Sequence, residues 1–286
     1  MKKLVFGTWS ISGDYGYKNE KNAKKILTQC FKSKIYEFDT APNYGFGFSE
    51  TLLGDVFKRN NKVLLNTKIG NDHKKIKSFE IKNLEKSFEK SLNNLKRINI
   101  LFLHNPRDDV NYNKVNSFLK YLKKSKLINE YGISLARDYK YKKKDLNLFK
   151  NYQMDYNLLN FKDYNLKPKM KIYGRSPFAS GLLIKNLKIK NLRLNDHRKE
   201  WLTKTRLKNI DKKKSFLLNN ISGNLFLNSI NFLKKTSKIN KIIFGAKNYQ
   251  QLKKVLYYYN QNTKTDFTLL ESKINRYDRS NKGKSY

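Results

Sequence analysis

The sequence predicts an α/β chain folded as one (β/α)8 barrel, a TIM barrel, with residues 1–286 forming a single domain. Three observations carry this reading. Short β-rich apolar runs alternate with amphipathic helical segments about eight times, which implies parallel strands joined by right-handed crossovers. The length of 286 residues is normal for one such barrel, which commonly needs ~250. The turn after the first run, Gly7-Thr8-Trp9-Ser10-Ile11-Ser12-Gly13, lacks the glycine spacing that an open doubly wound sheet uses to hold a dinucleotide.

Taken in order, Lys3–Gly7 reads as the first strand. Glu20–Lys32 reads as a helix with Ala23, Ile26, Leu27 and Phe31 at 3.6-residue spacing. Cys30 lies on the same stripe and is expected to be a buried, inert thiol. Ile35–Phe38 is the second strand. Ser49 is placed to cap a helix that turns Leu52, Leu53, Val56 and Phe57 inward. Val63–Asn66 is the third strand, and Ser78 can cap the helix that carries Ile81, Leu84, Phe88, Leu92 and Leu95. Ile98–Leu103 is a continuous apolar run suited to burial on both faces. Val115, Phe118, Leu119 and Leu122 mark the next helix. Glu130–Ile133, Tyr152–Asp155, Met170–Tyr173 and Lys241–Phe244 complete the strands. Ile184–Asn220 is rich in Lys and Asn, has few helical signals, and reads as a long excursion after the seventh strand.

Composition narrows the function. A single cysteine excludes intramolecular disulfides and Cys-based zinc or iron–sulfur sites. No paired His and carboxylate spacing indicates a metal. No run approaches the ~18 apolar residues of a membrane span, and the apolar run at the N-terminus is too short for a signal peptide. A cytoplasmic chain with no membrane partner is expected, as a monomer or homo-oligomer. The formal charge of +39 by itself points to polyanions. The lysines, however, are spread from Lys2 to Lys284 and fall mostly on polar helix faces. The chain is also rich in Asn, Ile, Tyr and Phe, the compositional bias of AT-rich coding, which favours Lys too. No nucleic-acid motif is present, so no specific nucleic-acid partner is expected.

Four residues carry the chemistry. Asp39 directly follows the second predicted strand, Tyr44 lies in the loop after it, Lys68 closes the third strand and His104 closes the fourth. In a barrel of this kind the chemistry sits at the C-terminal ends of the strands, so all four meet at one rim. A phenol has a pKa of about 10, and a nearby ammonium favours its ionised form. Asp39 would pair with Lys68, and Tyr44 would hydrogen-bond a carbonyl oxygen as hydride arrives at the carbon. His104 can orient the carbonyl, because a neutral imidazole still donates a hydrogen bond. His73 and His197 lack comparable surroundings and read as surface residues.

The same segments resemble the aldo-keto reductase family over about the whole length. F-D-T-A-P-N-Y-G-F-G-F-S-E-T-L-L-G at 38–54 is similar to the family's D-T-A-x-x-Y-G-x-x-S-E-x-x-L-G. N-T-K-I-G at 66–70, L-F-L-H-N-P at 101–106, Y-G-I-S at 131–134 and Q-M-D-Y-N-L-L at 153–159 match further family segments. R-S-P-F-A-S-G-L-L at 175–183 and F-G-A-K-N-Y-Q-Q-L at 244–252 complete the resemblance. It implies an NADPH-binding barrel, with NADH as a second candidate nucleotide, in which Asp39, Tyr44, Lys68 and His104 form the catalytic tetrad. It places Thr8 and Trp9 near the nicotinamide, with Trp9, Tyr44 and His104 on the substrate. Ser134 and Gln153 are implied to hold the carboxamide, and Arg175 stands where the family often stacks a Tyr. Ser176 and Phe178 are implied at the pyrophosphate. Gly245, Ala246, Lys247 and Gln251 are implied at the adenosine end, where a helix N-terminus and a Lys can take a 2′-phosphate.

Four positions depart from the family pattern. Leu135 stands where the family often has Asn after the Ser, Lys254 and Val255 replace an acidic-plus-Asn pair, and Asn99 stands near a family Asp. The implied activity is reduction of a small-molecule carbonyl in an aldehyde, ketone or open-chain sugar. The alternative is a nicotinamide-nucleotide-sensing accessory subunit with little turnover. The short loop at Arg107–Asn113 predicts an open pocket, with Tyr15 and Gly181-Leu182-Leu183 shaping it.

Overall fold

A run such as Ile100–Leu103, apolar on both faces, is stable only in a sheet covered on both sides. The chain supplies that cover by closing the sheet. The computed structural model describes residues 2–107, 110–137, 139–161 and 169–281. Eight strands form one closed barrel: β1 (Leu4–Gly7), β2 (Glu37–Asp39), β3 (Leu64–Ile69), β4 (Ile100–His104), β5 (Glu130–Ser134), β6 (Asn151–Asp155), β7 (Lys171–Arg175) and β8 (Lys241–Phe244). Each pairs in parallel with its neighbour in sequence, and β8 returns to β1 through Leu4–Ile242, Val5–Ile243 and Phe6–Phe244. The helices are α1 (Glu20–Lys32), α2 (Phe48–Phe57), α3 (Ile81–Leu95), α4 (Tyr112–Lys124), α5 (Lys143–Leu146), α6 (Lys204–Leu218), α7 (Leu225–Lys235), α8 (Tyr249–Asn260) and α9 (Phe267–Ser280). The predicted barrel is the observed fold. No helix among the described residues is long and apolar enough to cross a membrane.

Successive strand side chains point to opposite faces, and this alternation sorts the core. Val5, Ile100, Phe102, Tyr173 and Ile243 form one buried cluster inside the barrel. Phe6, Phe38, Leu65, Leu101, Leu103 and Phe244, out of phase with them, join the larger core beneath the helices. At the N-terminal end of the interior lies a polar layer. Asn66 Nδ2 (2.8 Å) and Tyr173 OH (2.9 Å) donate to Glu37 Oε1, and Lys241 Nζ lies 2.7 Å from Glu37 Oε2. Asn99 Nδ2 donates to Asn66 Oδ1 at 2.9 Å, so this departure from the family pattern belongs to the lower layer. Two residues further along β2, β3, β4, β6 and β7, the same inward phase brings Asp39, Lys68, His104, Gln153 and Arg175 to the C-terminal rim.

Several local expectations are corrected. Strands β2, β3, β4, β5 and β7 end one to three residues later than the predicted runs, so Asp39, Lys68 and His104 are strand residues themselves, whereas β1, β6 and β8 end where predicted. Polar residues at the rim continue the ladder because they face the interior. Ser49 does not cap α2. Gly47, with φ at 93°, occupies the N-cap, and the Ser49 hydroxyl is buried inside the first turn without a partner. Ser78 lies two residues ahead of the α3 N-cap, Glu80, and its Oγ instead accepts from Asn83 Nδ2 at 2.9 Å. The excursion after β7 contains a full helix, α6, capped by Thr203. Its buried face includes Lys213 and Lys214 beside Ile210 and Leu217, so apolar periodicity is masked. Lys213 Nζ reaches Asp278 at 2.7 Å and the Leu159 carbonyl at 2.9 Å.

Gly54 marks where α2 meets α3. A Cβ there would lie 1.8 Å from the Asn94 carbonyl oxygen. Gly54→Ala is expected to destabilise the fold by about 1–3 kcal/mol through overpacking against rigid backbone. Chemical denaturation checks this, and an unchanged midpoint would contradict the packing.

Candidate active site

Lys68 is the centre of the rim. Its side chain is 1 % exposed, yet all three ammonium donors find acceptors. Nζ lies 2.8 Å from Asp39 Oδ2, 2.7 Å from the Thr40 carbonyl and 3.2 Å from Tyr44 OH. The second Asp39 oxygen accepts from Gln153 Nε2, whose own Oε1 accepts from Ser134 Oγ at 3.3 Å. Thr8 Oγ1 donates to the Asp39 carbonyl at 3.2 Å. The four residues of the sequence constellation are therefore brought together, with Ser134, Gln153 and Thr8 behind them.

Tyr44 is delivered by a turn that only a small residue allows. Gly45 has φ at 60°, and a Cβ there would lie 2.4 Å from the Ser12 carbonyl oxygen. Its N–H donates to Asp14 Oδ2 at 3.0 Å. The Tyr44 ring packs edge-on against Trp9 at 4.8 Å and against His104 at 6.3 Å. Burial pushes the Tyr44 phenol above its ordinary range, and the Lys68 ammonium only partly offsets this. The expectation of a net lowered phenol is thus corrected: desolvation wins in the resting protein. Burial also pulls on Lys68, but Asp39 and then Tyr44 outweigh it and raise its pKa. Burial, Lys68, Arg175 and Lys77 together hold the His104 imidazole well below its usual range, so it is neutral at pH 7. His104 Nδ1 is buried without a partner.

Above this network lies a cavity of about 860 Å³. Trp9, Asp39, Tyr44, His104, Arg175, Ser176, Phe178, Gly245, Lys247 and Gln251 line it, whereas Thr8, Lys68, Ser134, Gln153 and Ala246 are buried outside that lining. Lys254 and Val255 also line it, as does Tyr15. Gly181 is in the wall, with Leu182 and Leu183 buried in the core behind. Of the Arg107–Asn113 loop, Asp108 and Asp109 lie outside the described residues. Leu135 is buried, and its carbonyl accepts from Arg175 NH2 at 2.6 Å.

Arg175 also pairs with Asp155 at 2.9 Å, and Arg137 pairs with the same carboxylate at 2.6 Å. Burial opposes ionisation of Asp155, but the two guanidinium groups hold its carboxyl below the usual range. Beyond β7, Ser176, Ala179 and Ser180 adopt left-handed backbone with φ of 59°, 47° and 57°. Non-glycine residues held there carry strain, which clusters at ligand sites. At the end of β8, the Lys247 N–H donates to Gln251 Oε1 at 2.8 Å, and Asn248 caps α8. The Lys247 ammonium lies 4.1 Å from the Tyr15 ring centre, and burial beside Arg198 lowers it to about 8.

Both remaining histidines correct the sequence reading. His73 is buried, and its Nε2 lies 2.7 Å from Glu50 Oε2, while Thr67 Oγ1 donates to Glu50 Oε1 at 2.6 Å. A carboxylate with no exposure in α2 requires such partners. His197 lines the cavity, with its Nδ1 3.0 Å from the Asp14 carbonyl and its ring 5.1 Å from Trp9. Their immediate sequence neighbours are charged, and neither partner is local, so no sequence signal marks either residue. Among the described residues no group of three or more His, Cys, Asp or Glu could hold a metal ion.

A profile of the Aldo/keto reductase family matches residues 3–275. The chain belongs to the aldo/keto reductase family. It is 34% identical over 100 residues to aldo-keto reductase YhdN of Bacillus subtilis (strain 168), covering 34% of this chain and 30% of that protein. It is 35% identical over 68 residues to pyridoxal 4-dehydrogenase of Microbacterium luteolum, covering 23% and 20%. The matched stretches thus span a third or less of these relatives. In fold it is similar to the glycerol dehydrogenase AKR11B4 from Gluconobacter oxydans, with a TM-score of 0.72 at 17% identity over 98% of this chain and 92% of that one. The holo form of aldo-keto reductase AKR11C1 from Bacillus halodurans gives 0.73 at 21% over 96% and 91%.

The depressed His104 pKa links stability to pH. Below pH ~6.5 the unfolded chain takes up a proton that folded His104 refuses, so stability falls as pH drops from 7 to 5. His104→Gln is expected to lose less stability over that range than the parent. Parallel pH profiles of the two thermal midpoints would contradict the linkage.

Proposed function

We propose that this chain is an NAD(P)H-dependent oxidoreductase of the alcohol:NADP+ type, reducing an aldehyde, ketone or open-chain sugar carbonyl to an alcohol. The observation that carries the reading is Lys68 Nζ held between Asp39 Oδ2 (2.8 Å) and Tyr44 OH (3.2 Å) at the cavity floor. Family membership supports it, as do the names of the relatives, which are reductases and dehydrogenases.

The residues present fit a nicotinamide dinucleotide. The cavity of about 860 Å³ is within the range of cofactor sites. Arg175 Nε is buried with no partner, an orphan donor at the rim. Arg175, Ser176 and Phe178 would hold the middle of such a molecule. Gly245, Ala246, Lys247 and Gln251 would hold its adenosine end, and the Lys247 charge favours NADPH over NADH. Thr8, Asp39, Ser134 and Gln153 support the nicotinamide end from below. When bound, the reduced nicotinamide supplies the hydride.

The chain's own residues handle the proton. Burial keeps the Tyr44 phenol protonated at rest, as a donor must be. Tyr44 and neutral His104 hydrogen-bond the carbonyl oxygen and orient it, with Trp9 packed alongside. As hydride adds to the carbon, the C=O π pair moves to oxygen and takes the Tyr44 proton. The resulting phenolate lies beside Lys68, which stabilises it until solvent returns a proton. Asp39 keeps Lys68 charged throughout.

Tyr44→Phe is expected to lower kcat by about 10²–10⁴-fold, the usual worth of a general acid, with NADPH affinity near normal. Cofactor absorbance and tryptophan fluorescence read the two quantities, and parent-like turnover would sink the assignment. Lys68→Met is expected to cripple turnover and move the Tyr44 limb of the pH–rate profile to higher pH. An unmoved limb would exclude the Lys68–Tyr44 coupling.

A further inference from the structure

The cavity sorts the two basic residue types of this chain. The sequence contains 52 lysines and ten arginines. Among the described residues, five of those arginines line the cavity, namely Arg107, Arg137, Arg175, Arg198 and Arg206, against four of the lysines. A bias toward lysine spread over the whole chain would give the opposite proportion. The two side chains also differ in what they recognise. A guanidinium is a planar, permanently charged fork that matches a carboxylate or phosphate with two parallel hydrogen bonds, whereas an ammonium is a point charge. Half of the arginines gathered round one cavity therefore specifies a ligand, and does not simply follow from the charge of +39.

Their positions divide. Arg175 ends β7 and Arg198 lies in the excursion after it, on the side of Lys247, where the proposed dinucleotide needs positive charge. Arg107 and Arg137 follow β4 and β5. In the closed order β1 to β8, β4 lies four strands from β8 by either route, so the Arg107 loop stands across the rim from the end of β8, and Arg137, which shares Asp155 with Arg175, stands between the two sides. Arg206 joins them: its guanidinium lies 5.1 Å from the Trp201 ring centre, and that of Arg137 lies 5.9 Å from the same ring. Arg137 is also bound to Asp155, whereas Arg107 is exposed, packs 5.9 Å from the Tyr139 ring and is ion-paired with no carboxylate among the described residues. The carboxylates of the described lining, Asp39 and Asp155, are already neutralised by Lys68 and by Arg137 with Arg175. Among the described residues, the lining past Tyr44 and His104 carries more positive than negative charge.

Resting on the reductase reading above, we infer that the substrate is a carbonyl compound with an anionic group, carboxylate or phosphate, at the end remote from the carbonyl, and that Arg107, with Arg137 and Arg206 lining the same cavity, holds that group. The test is cofactor oxidation with matched pairs: 4-oxobutanoate against butanal, and glyceraldehyde 3-phosphate against glyceraldehyde. In at least one pair the anionic member is expected to have a kcat/KM about 10–100-fold higher, the worth of a charge-assisted contact, expressed mainly in KM. The pair that shows the preference tells carboxylate from phosphate. Arg107→Gln is expected to lower the ratio, and rising salt should shrink it in the parent protein. Equal kcat/KM within both pairs, or a ratio that R107Q leaves unmoved, overturns the inference and leaves the reductase reading standing. No oxidation with any of the four compounds would overturn both.

Discussion

The structure is organised by one buried charge. An ammonium inside a barrel is tolerable only when its donors are all satisfied and a counter-charge is at hand. Lys68 meets that demand with Asp39, the Thr40 carbonyl and Tyr44. Asp39 in turn engages Gln153, and Gln153 engages Ser134. A single ion thereby ties β2, β3, β5 and β6 together at one rim and fixes the phenol that follows β2. Removing either member of such a pair typically costs about 3–5 kcal/mol, because the other is left buried and uncompensated. The groups assigned to chemistry are thus also groups that link the strands at the rim.

Two polar layers share the barrel interior with the cluster of Val5, Ile100, Phe102, Tyr173 and Ile243. They arise from the same two-residue period and differ in how far they are satisfied. In the lower layer Glu37 takes hydrogen bonds from Asn66 and Tyr173 and an ion pair from Lys241. In the upper layer His104 Nδ1 and Arg175 Nε remain without partners. Closed polar layers hold a fold, whereas open ones await a ligand. The contrast marks the C-terminal rim as the end suited to a ligand, even though both ends carry charge.

The barrel and the core of the site were legible because both depend on local pattern. Apolar runs report strands directly, and Asp39, Lys68 and His104 stand just where those runs stop. Other features were hidden by longer-range physics. His73 sits between Asp72 and Lys74, and only the folded chain brings it to Glu50. His197 reaches Asp14 across the rim, a contact 183 residues apart in sequence. The helix α6 leaves little periodic trace in the sequence because lysines with buried stems occupy its inner face. The direction of the Tyr44 shift failed for a related reason: a sequence shows the neighbouring Lys68 but not the depth of burial that outweighs it.

The most direct test of the central claim, hydride delivery to a carbonyl held at Tyr44 and His104, is isotopic. An aldehyde would be reduced by the protein with NADPH deuterated at its transferable C4 position, and the alcohol analysed by mass spectrometry and NMR. The expected result is one deuterium on the carbinol carbon. Alcohol bearing solvent hydrogen at that carbon, or no alcohol from any carbonyl offered, would contradict it.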